Sequence, residues 1–253
     1  MNTENLLCPV CGEQSSLFDV VDLNKSCEES RGKRLPLSGF PVYYAHCGEC
    51  GFCFAPALFQ WTPEKFSQEI YNDQYVQVDP DYLEERPQAN AKMLQSMFPE
   101  LPAHVRHLDY GGGNGLLAKT LREAGWNSTS YDPFVNTEVS IGQLGQFDLI
   151  TVFEVFEHVP DIQGLMANLK GALANNGLIL FSTLLSDGNI RPGQRLGWWY
   201  ASPRNGHIGL FSRKSLTLLA KNSGFKLGHF SEGLHVLLNA PPTWAAQLFK
   251  GGK

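Results

Sequence analysis

His107-Leu108-Asp109-Tyr110-Gly111-Gly112-Gly113-Asn114-Gly115 is the stretch of this 253-residue chain in which a short apolar run ends in a glycine-rich turn. The run has the character of a buried strand, and residues 116–124 have the spacing of a helix that stops at Gly125. Glycines suit such a turn because the backbone bends sharply and a ligand can approach it closely. A dinucleotide-binding fingerprint would need a third glycine at position 116, which is Leu116, so the pattern disfavours NAD.

Strands and helices alternate on both sides of this turn. A helical face precedes it at residues 82–98, and the segments after it predict strands at 128–132, 147–155, 178–185, 225–230 and 234–238, with helices at 161–174 and 212–220. The alternation predicts a doubly wound, mainly parallel α/β sheet with Rossmann-like crossovers. We expect seven strands, or six if the short stretch between Asp132 and Phe147 is abbreviated. A short strand around residues 139–141 is the expectation there.

Asp132 ends the second predicted strand, about 20 residues beyond the glycine turn. An acidic side chain at this place can accept hydrogen bonds from both ribose hydroxyls of a bound nucleoside. The alternative is that Asp132-Pro133 simply initiates a turn.

The spacing of Gly111, Gly113 and Gly115 after Asp109 resembles motif I of class I S-adenosylmethionine-dependent methyltransferases. Phe147-Asp148-Leu149-Ile150-Thr151, followed by Glu154-Val155-Phe156-Glu157-His158-Val159-Pro160-Asp161, is similar to motif IV of the ubiquinone-pathway and related enzymes. Including Asn176-Gly177 and the segment 207–212, the resemblance covers about residues 104–239. It implies S-adenosylmethionine as cofactor, bound by Asp109, Gly111, Gly113, Gly115, Asp132, Pro133, Phe153 and Glu154.

The E-x-x-E-H pattern formed by Glu154, Glu157 and His158 contains candidate catalytic groups. In the ubiquinone-type enzymes it is associated with a divalent metal near the acceptor, and the resemblance leaves such a metal open here. Glu157, His158 and His207 are the predicted catalytic residues, because an acceptor that must lose a proton needs a general base. Alternatively, Glu157 and His158 cap the next helix or bond to each other, and His207 is an ordinary loop histidine.

A polar and aromatic loop follows the strand at 178–185, in a region that the family uses to cover the acceptor. Aromatic rings offer flat apolar contact and arginines can hold carboxylate or phosphate. The predicted acceptor-binding residues are Arg195, Trp198, Trp199, Tyr200 and Arg204. The alternative is a lid that packs on the N-terminal cysteine module, with its arginines paired to the acidic stretch 62–102.

All six cysteines lie before residue 54, and four of them form two C-x-x-C knuckles. Each knuckle brings two thiolates to one ion, so the pair suits tetrahedral zinc. The predicted ligands of a structural Zn²⁺ are Cys8, Cys11, Cys47 and Cys50, whereas Cys27 and Cys53 are spare. An iron–sulfur site or redox disulfides are the alternatives. The module resembles zinc-binding domains that precede some sugar C-methyltransferases, and also zinc-bearing rRNA methyltransferases.

These observations predict four segments: a zinc-binding module (1–61), a helical connector (62–102), the methyltransferase domain (103–240) and a C-terminal tail (241–253). The net charge of −5 argues against a dedicated nucleic-acid binder. With no basic, apolar leader and no long apolar run, we expect a cytoplasmic protein without a membrane partner. The leading hypothesis is methyl transfer to a small anionic acceptor, such as a sugar nucleotide or an acidic metabolite. An RNA or protein methyltransferase that uses the zinc module for recruitment, and a catalytically silent binding protein, are the alternatives.

Overall fold

The computed structural model describes residues 6–249 of the chain. Its strands are Ser15–Asp22 (β1), Pro41–Cys47 (β2), Cys53–Phe54 (β3), Arg106–Tyr110 (β4), Asn127–Tyr131 (β5), Phe147–Phe153 (β6), Leu173–Ser182 (β7), Gly209–Leu210 (β8), Lys226–His229 (β9) and Leu234–Leu238 (β10). Its α-helices are Pro63–Glu69 (α1), Glu85–Met97 (α2), Leu116–Glu123 (α3), Ile162–Ala172 (α4) and Arg213–Asn222 (α5). The last four residues of the predicted tail, 250–253, lie outside the described residues.

The chain forms two compact units, each assembled from three segments. The first, here called the sheet unit, comprises 81–153, 164–182 and the described residues from 223 onward. The second, the cysteine unit, comprises the described residues up to 80 together with 154–163 and 183–222. The segment boundaries that the sequence suggested at 61, 102 and 240 stay predictions.

The sheet unit contains the predicted α/β sheet, with strands in the order β5-β4-β6-β7-β10-β9. The pairs β5-β4, β4-β6 and β6-β7 are parallel, whereas β10 runs antiparallel to both of its neighbours. The central strands are apolar on both sides because helices cover both faces of such a sheet. Leu149, Leu178 and Leu180 are fully buried and share one core with Leu94 of α2 and Leu121 of α3. The predicted mainly parallel α/β fold is therefore confirmed.

The sheet has six strands among the described residues, so the seven-strand version of the prediction is wrong. The short strand expected around residues 139–141 does not form either. A 3-10 turn occupies Ile141–Leu144, and the side chains of Ser140 and Gln143 cap its first turn reciprocally. The reason is length, since a crossover between parallel strands needs a dozen or more residues and this stretch would also have to supply the strand.

The cysteine unit contains a small antiparallel sheet with the strand order β1-β2-β3-β8. Its edge strand β8 comes from a segment about 150 residues later in the chain than β3, and Cys53 lies opposite Leu210 in the ladder. A buried apolar cluster that includes Tyr44, Phe66 and Tyr200 fills one side of this sheet. Residues of the loop after β7 therefore belong to the same core as the cysteine module.

Candidate functional site

The glycine turn after β4 lies directly on polar side chains. Gly112 has room for a hydrogen only: a β-carbon there would stand 2.5 Å from Asp109 Oδ2 and still closer to Ser130 Oγ. The other turn glycines have left-handed φ angles, which side chains other than glycine rarely adopt: 75° at Gly111, 53° at Gly113 and 75° at Gly115. The turn is thus shaped by close approach as well as by backbone conformation, and α3 begins immediately after it.

Asp109 is buried beneath this turn with one oxygen unsatisfied. Its Oδ1 accepts a 3.4 Å hydrogen bond from Thr151 Oγ1, whereas Oδ2 has no hydrogen-bond partner. Burial raises the pKa of Asp109 to about 7, and the charge of Asp132 adds to the rise. A buried carboxyl oxygen without a donor is costly, so this atom is suited to a cationic ligand group brought to the turn.

Asp132 follows β5 and contacts the glycine turn. Its Oδ2 accepts a hydrogen bond from the Gly113 N–H at 3.0 Å, and its Oδ1 accepts one from the Phe134 N–H at 2.8 Å. The bond from Phe134 closes a turn at Asp132-Pro133, as the alternative interpretation of this pair supposed. Each carboxylate oxygen has a second lone pair, so the predicted ribose contact stays compatible with both bonds.

Glu154 comes directly after Phe153, the last residue of β6, and has an unusual backbone. Its φ of 53° is the single positive value among non-glycine residues from 6 to 249. A non-glycine residue in this region costs of order 1–3 kcal/mol and points to a functional constraint. The predicted role of Phe153 and Glu154 in cofactor binding stays a prediction.

We predict that Glu154→Gly is more stable than Glu154→Ala by about 1 kcal/mol, because both variants lose the carboxylate but only glycine relieves the left-handed strain. Urea unfolding of the two variants measures this difference directly. Equal stabilities would contradict the strain at Glu154. If the carboxylate is functional, both variants lose methyl transfer to the same extent.

Glu157, His158 and His207 come together in the cysteine unit, with their ligand-capable atoms within 4.8 Å of one another. Glu157 is fully buried, and its Oε1 accepts a short hydrogen bond from the Tyr200 hydroxyl. Burial raises the pKa of Glu157 well above its usual range, and the charge of Glu154 adds to this rise. The protonated form of Glu157 is therefore favoured.

The two histidines of this cluster have different surroundings. His158 Nδ1 lies 3.1 Å from the Tyr71 hydroxyl, and its Nε2 lies 3.9 Å from Glu157 Oε1. His207 Nδ1 lies 2.7 Å from the Tyr200 backbone oxygen, so this nitrogen carries the proton and Nε2 has the lone pair. Burial, together with the nearby His158, lowers the pKa of His207 to about 3. His207 is therefore neutral at physiological pH.

The predicted acceptor-binding side chains differ in exposure. Trp198 and Tyr200 are buried, whereas Trp199 is 40% exposed. Arg204 is also buried, and its guanidinium donates to the backbone oxygen of Ile70 at 2.8 Å. Arg195 is largely exposed, and its Nε donates to Asp19 Oδ2 at 2.9 Å.

These contacts agree with the alternative interpretation, in which the loop packs within the cysteine unit. Arg204 reaches the 62–102 stretch, as that interpretation supposed, but through the Ile70 carbonyl and the Asn72 side chain rather than through an acidic group. Arg195 and Trp199 keep exposed surface. Acceptor binding by this set stays a prediction, and the exposed members are its best candidates.

The four knuckle cysteines bring their sulfur atoms within 4.8 Å of one another: Cys8, Cys11, Cys47 and Cys50. The sulfur atoms of Cys8 and Cys50 are 3.5 Å apart, and so are those of Cys11 and Cys47. A tetrahedral zinc ion with bonds of about 2.3 Å places its sulfurs about 3.8 Å apart, so the cluster fits this ion. A backbone hydrogen bond of 2.8 Å closes each knuckle: the Gly12 N–H donates to the Cys8 oxygen, and the Gly51 N–H donates to the Cys47 oxygen.

A family described as "Methyltransferase domain" matches residues 82–229, which is more than half of the chain. The chain belongs to this methyltransferase family. The match contains the glycine turn, Asp132 and the E-x-x-E-H pattern, so the resemblance drawn from these residues is confirmed.

Individual relatives of this methyltransferase domain are distant. A ubiquinone biosynthesis O-methyltransferase of Bordetella avium is 28% identical over 31% of this chain and 42% of its own length. The corresponding enzyme of Colwellia psychrerythraea is 26% identical over 36% of this chain and 57% of its own length. The chain thus spans about half the length of these curated relatives. A solved O-methyltransferase family protein from Burkholderia thailandensis shares the fold, with a TM-score of 0.50, 14% identity, and coverage of 70% of this chain and 63% of that one.

Three residues next to the candidate site residues were not predicted from the sequence. Gly112 was the middle of three consecutive glycines, and only the side chains beneath it reveal its steric role. Tyr71 contacts His158 from 87 positions away, and Thr151 contacts Asp109 from 42 positions away, so neither had a local signal.

Of the helices within residues 6–249, none has the length and apolarity needed to cross a membrane.

Proposed function

We propose that this chain transfers a methyl group from S-adenosylmethionine to a small acceptor molecule. The observation that carries the proposal is the glycine turn, which lies over the unsatisfied Asp109 oxygen and is bonded to Asp132. Membership of the methyltransferase family supports it. In this proposal the glycine turn, Asp109, Asp132, Pro133, Phe153 and Glu154 hold the cofactor.

Three of these groups have distinct proposed parts in binding. The glycine turn would let the cofactor approach the backbone, Asp132 would accept hydrogen bonds from the ribose hydroxyls, and Asp109 would pair with the cationic amino acid part. The cofactor supplies an electrophilic methyl group on a sulfonium. The chain then contributes chiefly by positioning, which supplies roughly 7–11 kcal/mol when the reacting atoms are aligned.

The proposed acceptor side is the cluster around Glu157. His158 is the candidate general base, with the Tyr71 hydroxyl fixing its ring, and His207 offers a lone pair at Nε2. Glu157, favoured in its neutral form, holds the Tyr200 hydroxyl rather than a charge. We propose an anionic acceptor, such as a sugar nucleotide or an acidic metabolite, with Arg195 and Trp199 as its exposed contacts.

We also propose that Cys8, Cys11, Cys47 and Cys50 hold one structural zinc ion. Four thiolates leave no coordination position for water or substrate, so the ion would stabilise the cysteine unit and take no chemical part. The sulfur spacing supports this assignment.

Transfer of a tritiated methyl group from S-adenosylmethionine to a panel of small acceptors tests the proposed function. We expect label in an anionic small molecule, lost in His158→Gln if that residue is the base. Label that appears only in protein or RNA would contradict the small acceptor and show that the acceptor is a macromolecule. Arg195→Ala is expected to raise KM for the acceptor without changing cofactor affinity, and equal loss of both would indicate a folding role.

The affinity for S-adenosylmethionine is expected to fall below pH 7. Because the pKa of Asp109 is raised to about 7, its carboxyl group must release a proton before it can pair with a cation. Each pH unit below this value therefore costs up to a factor of about ten in the dissociation constant. Calorimetry between pH 5.5 and 7.5 measures the trend, and Asp109→Asn should bind more weakly but with a flat profile. A wild-type affinity that is equal at both ends of this range would contradict the assignment.

A further inference from the structure

Lys25, far from every candidate catalytic residue in sequence, lies against the backbone of the aromatic loop. Its Nζ donates to the Trp198 backbone oxygen and to the Ala201 backbone oxygen, both at 2.8 Å. Lys25 is half-buried, and this burial lowers the pKa of its ammonium group. The residue thus bridges the two ends of a four-residue segment, 198–201.

The bridged segment contacts two residues of the proposed acceptor side. The Tyr200 hydroxyl donates to Glu157, and the Tyr200 backbone oxygen accepts the Nδ1 proton of His207. The segment therefore contacts both Glu157 and His207 through Tyr200. A backbone hydrogen bond adds to this bridge, because the Arg204 N–H donates to the Lys25 backbone oxygen at 3.1 Å.

The next residues of the same stretch also contact the loop. The Cys27 N–H donates to Asn205 Oδ1 at 2.8 Å, and the Asn205 side chain donates onward to the Val78 backbone oxygen at 2.9 Å. Asn205 and Arg204 are both buried. The segment 25–27 is thus joined to residues 198–205 by four hydrogen bonds and contributes to the geometry of the site.

We propose that Lys25 is a positioning residue for the acceptor side: by holding the carbonyls of Trp198 and Ala201 it presents Tyr200 to Glu157 and fixes the Nδ1-protonated tautomer of His207. The inference rests on the proposed function, and it gives the segment 25–27 of the cysteine unit a part in building the acceptor side. Lys25 is not among the residues that we propose to bind the cofactor or the acceptor.

The test compares Lys25→Met, which keeps the length of the side chain but removes its donors, with the control Lys65→Met, an exposed lysine over the Trp61 ring. Nitrogen-15 NMR of the imidazoles, with His207 assigned through His207→Gln, should show one tautomer in the wild type and a mixture in Lys25→Met. Methyl transfer should fall by about 100-fold in kcat, as expected for a displaced reacting group, with unchanged cofactor affinity. Lys25→Arg, which restores donors, should recover most of the single-tautomer signal.

The outcomes are distinguishable. An unaltered His207 tautomer and a kcat within about twofold of wild type in Lys25→Met would overturn the proposal, as would equal losses in Lys65→Met. If Lys25→Met does not fold, Lys25→Gln decides, because its shorter side chain cannot reach both carbonyls and a positioning role again predicts a mixture of His207 tautomers. If the wild-type protein binds no S-adenosylmethionine, the proposed function fails, but the NMR comparison still decides whether Lys25 positions His207.

Discussion

Replacing Asp132 with alanine is expected to weaken S-adenosylmethionine binding by at least about 100-fold. The carboxylate is proposed to accept both ribose hydroxyls, and a hydrogen bond to a charged group contributes about 1.5–3 kcal/mol. Two such bonds amount to at least about 3 kcal/mol, and each 1.4 kcal/mol is a factor of ten in affinity. The bond from the Gly113 N–H is lost as well, which loosens the turn.

The matched control for this change is Glu123→Ala, which removes an exposed acidic side chain at the end of α3 and should leave affinity unchanged. Asp132→Asn should lie in between, because an amide oxygen can still accept the Phe134 N–H but carries no charge. Isothermal titration calorimetry measures all three. Wild-type affinity in folded Asp132→Ala would contradict the ribose contact and leave Asp132 with a role in the turn alone.

Cys47→Ser is expected to abolish stoichiometric zinc binding and to destabilise the cysteine unit. Structural zinc contributes about 10–16 kcal/mol of binding free energy in small zinc domains. Even a loss of about 4 kcal/mol in this chain corresponds to a fall of about 10 °C in Tm. Elemental analysis and thermal unfolding measure the two effects.

Cys53→Ala is the control for Cys47→Ser, because Cys53 is equally buried but lies outside the four-sulfur cluster. It should retain one zinc ion and lose only the packing of one sulfur atom. A Cys47→Ser protein with a full equivalent of zinc and the wild-type Tm would contradict the assignment of the cluster, and so would a wild-type protein without zinc.

The strand–turn–helix around the glycine turn was predictable because its signals are local. The apolar run into Tyr110, the glycines and the stop at Gly125 all lie within about 20 residues, and the structure has a strand and a helix there. Gly125 has the left-handed φ of 87° that a helix C-terminus favours. The strand predicted around residues 139–141 was wrong, because the stretch between Asp132 and Phe147 is too short to supply both a crossover and a strand.

The sequence singled out the residues of the proposed acceptor side but not their geometry, because this geometry depends on contacts between distant segments. Nothing near Arg204 in sequence indicates that its guanidinium reaches the Ile70 carbonyl, 134 positions away. Likewise, the hydrogen bond from Lys25 to the Trp198 carbonyl joins residues 173 positions apart. Sequence spacing predicts which residues share a helix face or a strand end, but not which loop carbonyl accepts a hydrogen bond from a distant lysine or arginine.

The most direct test of the central claim is calorimetric titration of the folded wild-type chain with S-adenosylmethionine and S-adenosylhomocysteine. We expect one binding site per chain with a dissociation constant in the micromolar range, about −8 kcal/mol, for the cofactor. Absence of binding heat up to millimolar concentrations of both compounds would contradict the assignment of the glycine turn, Asp109 and Asp132 as a cofactor site.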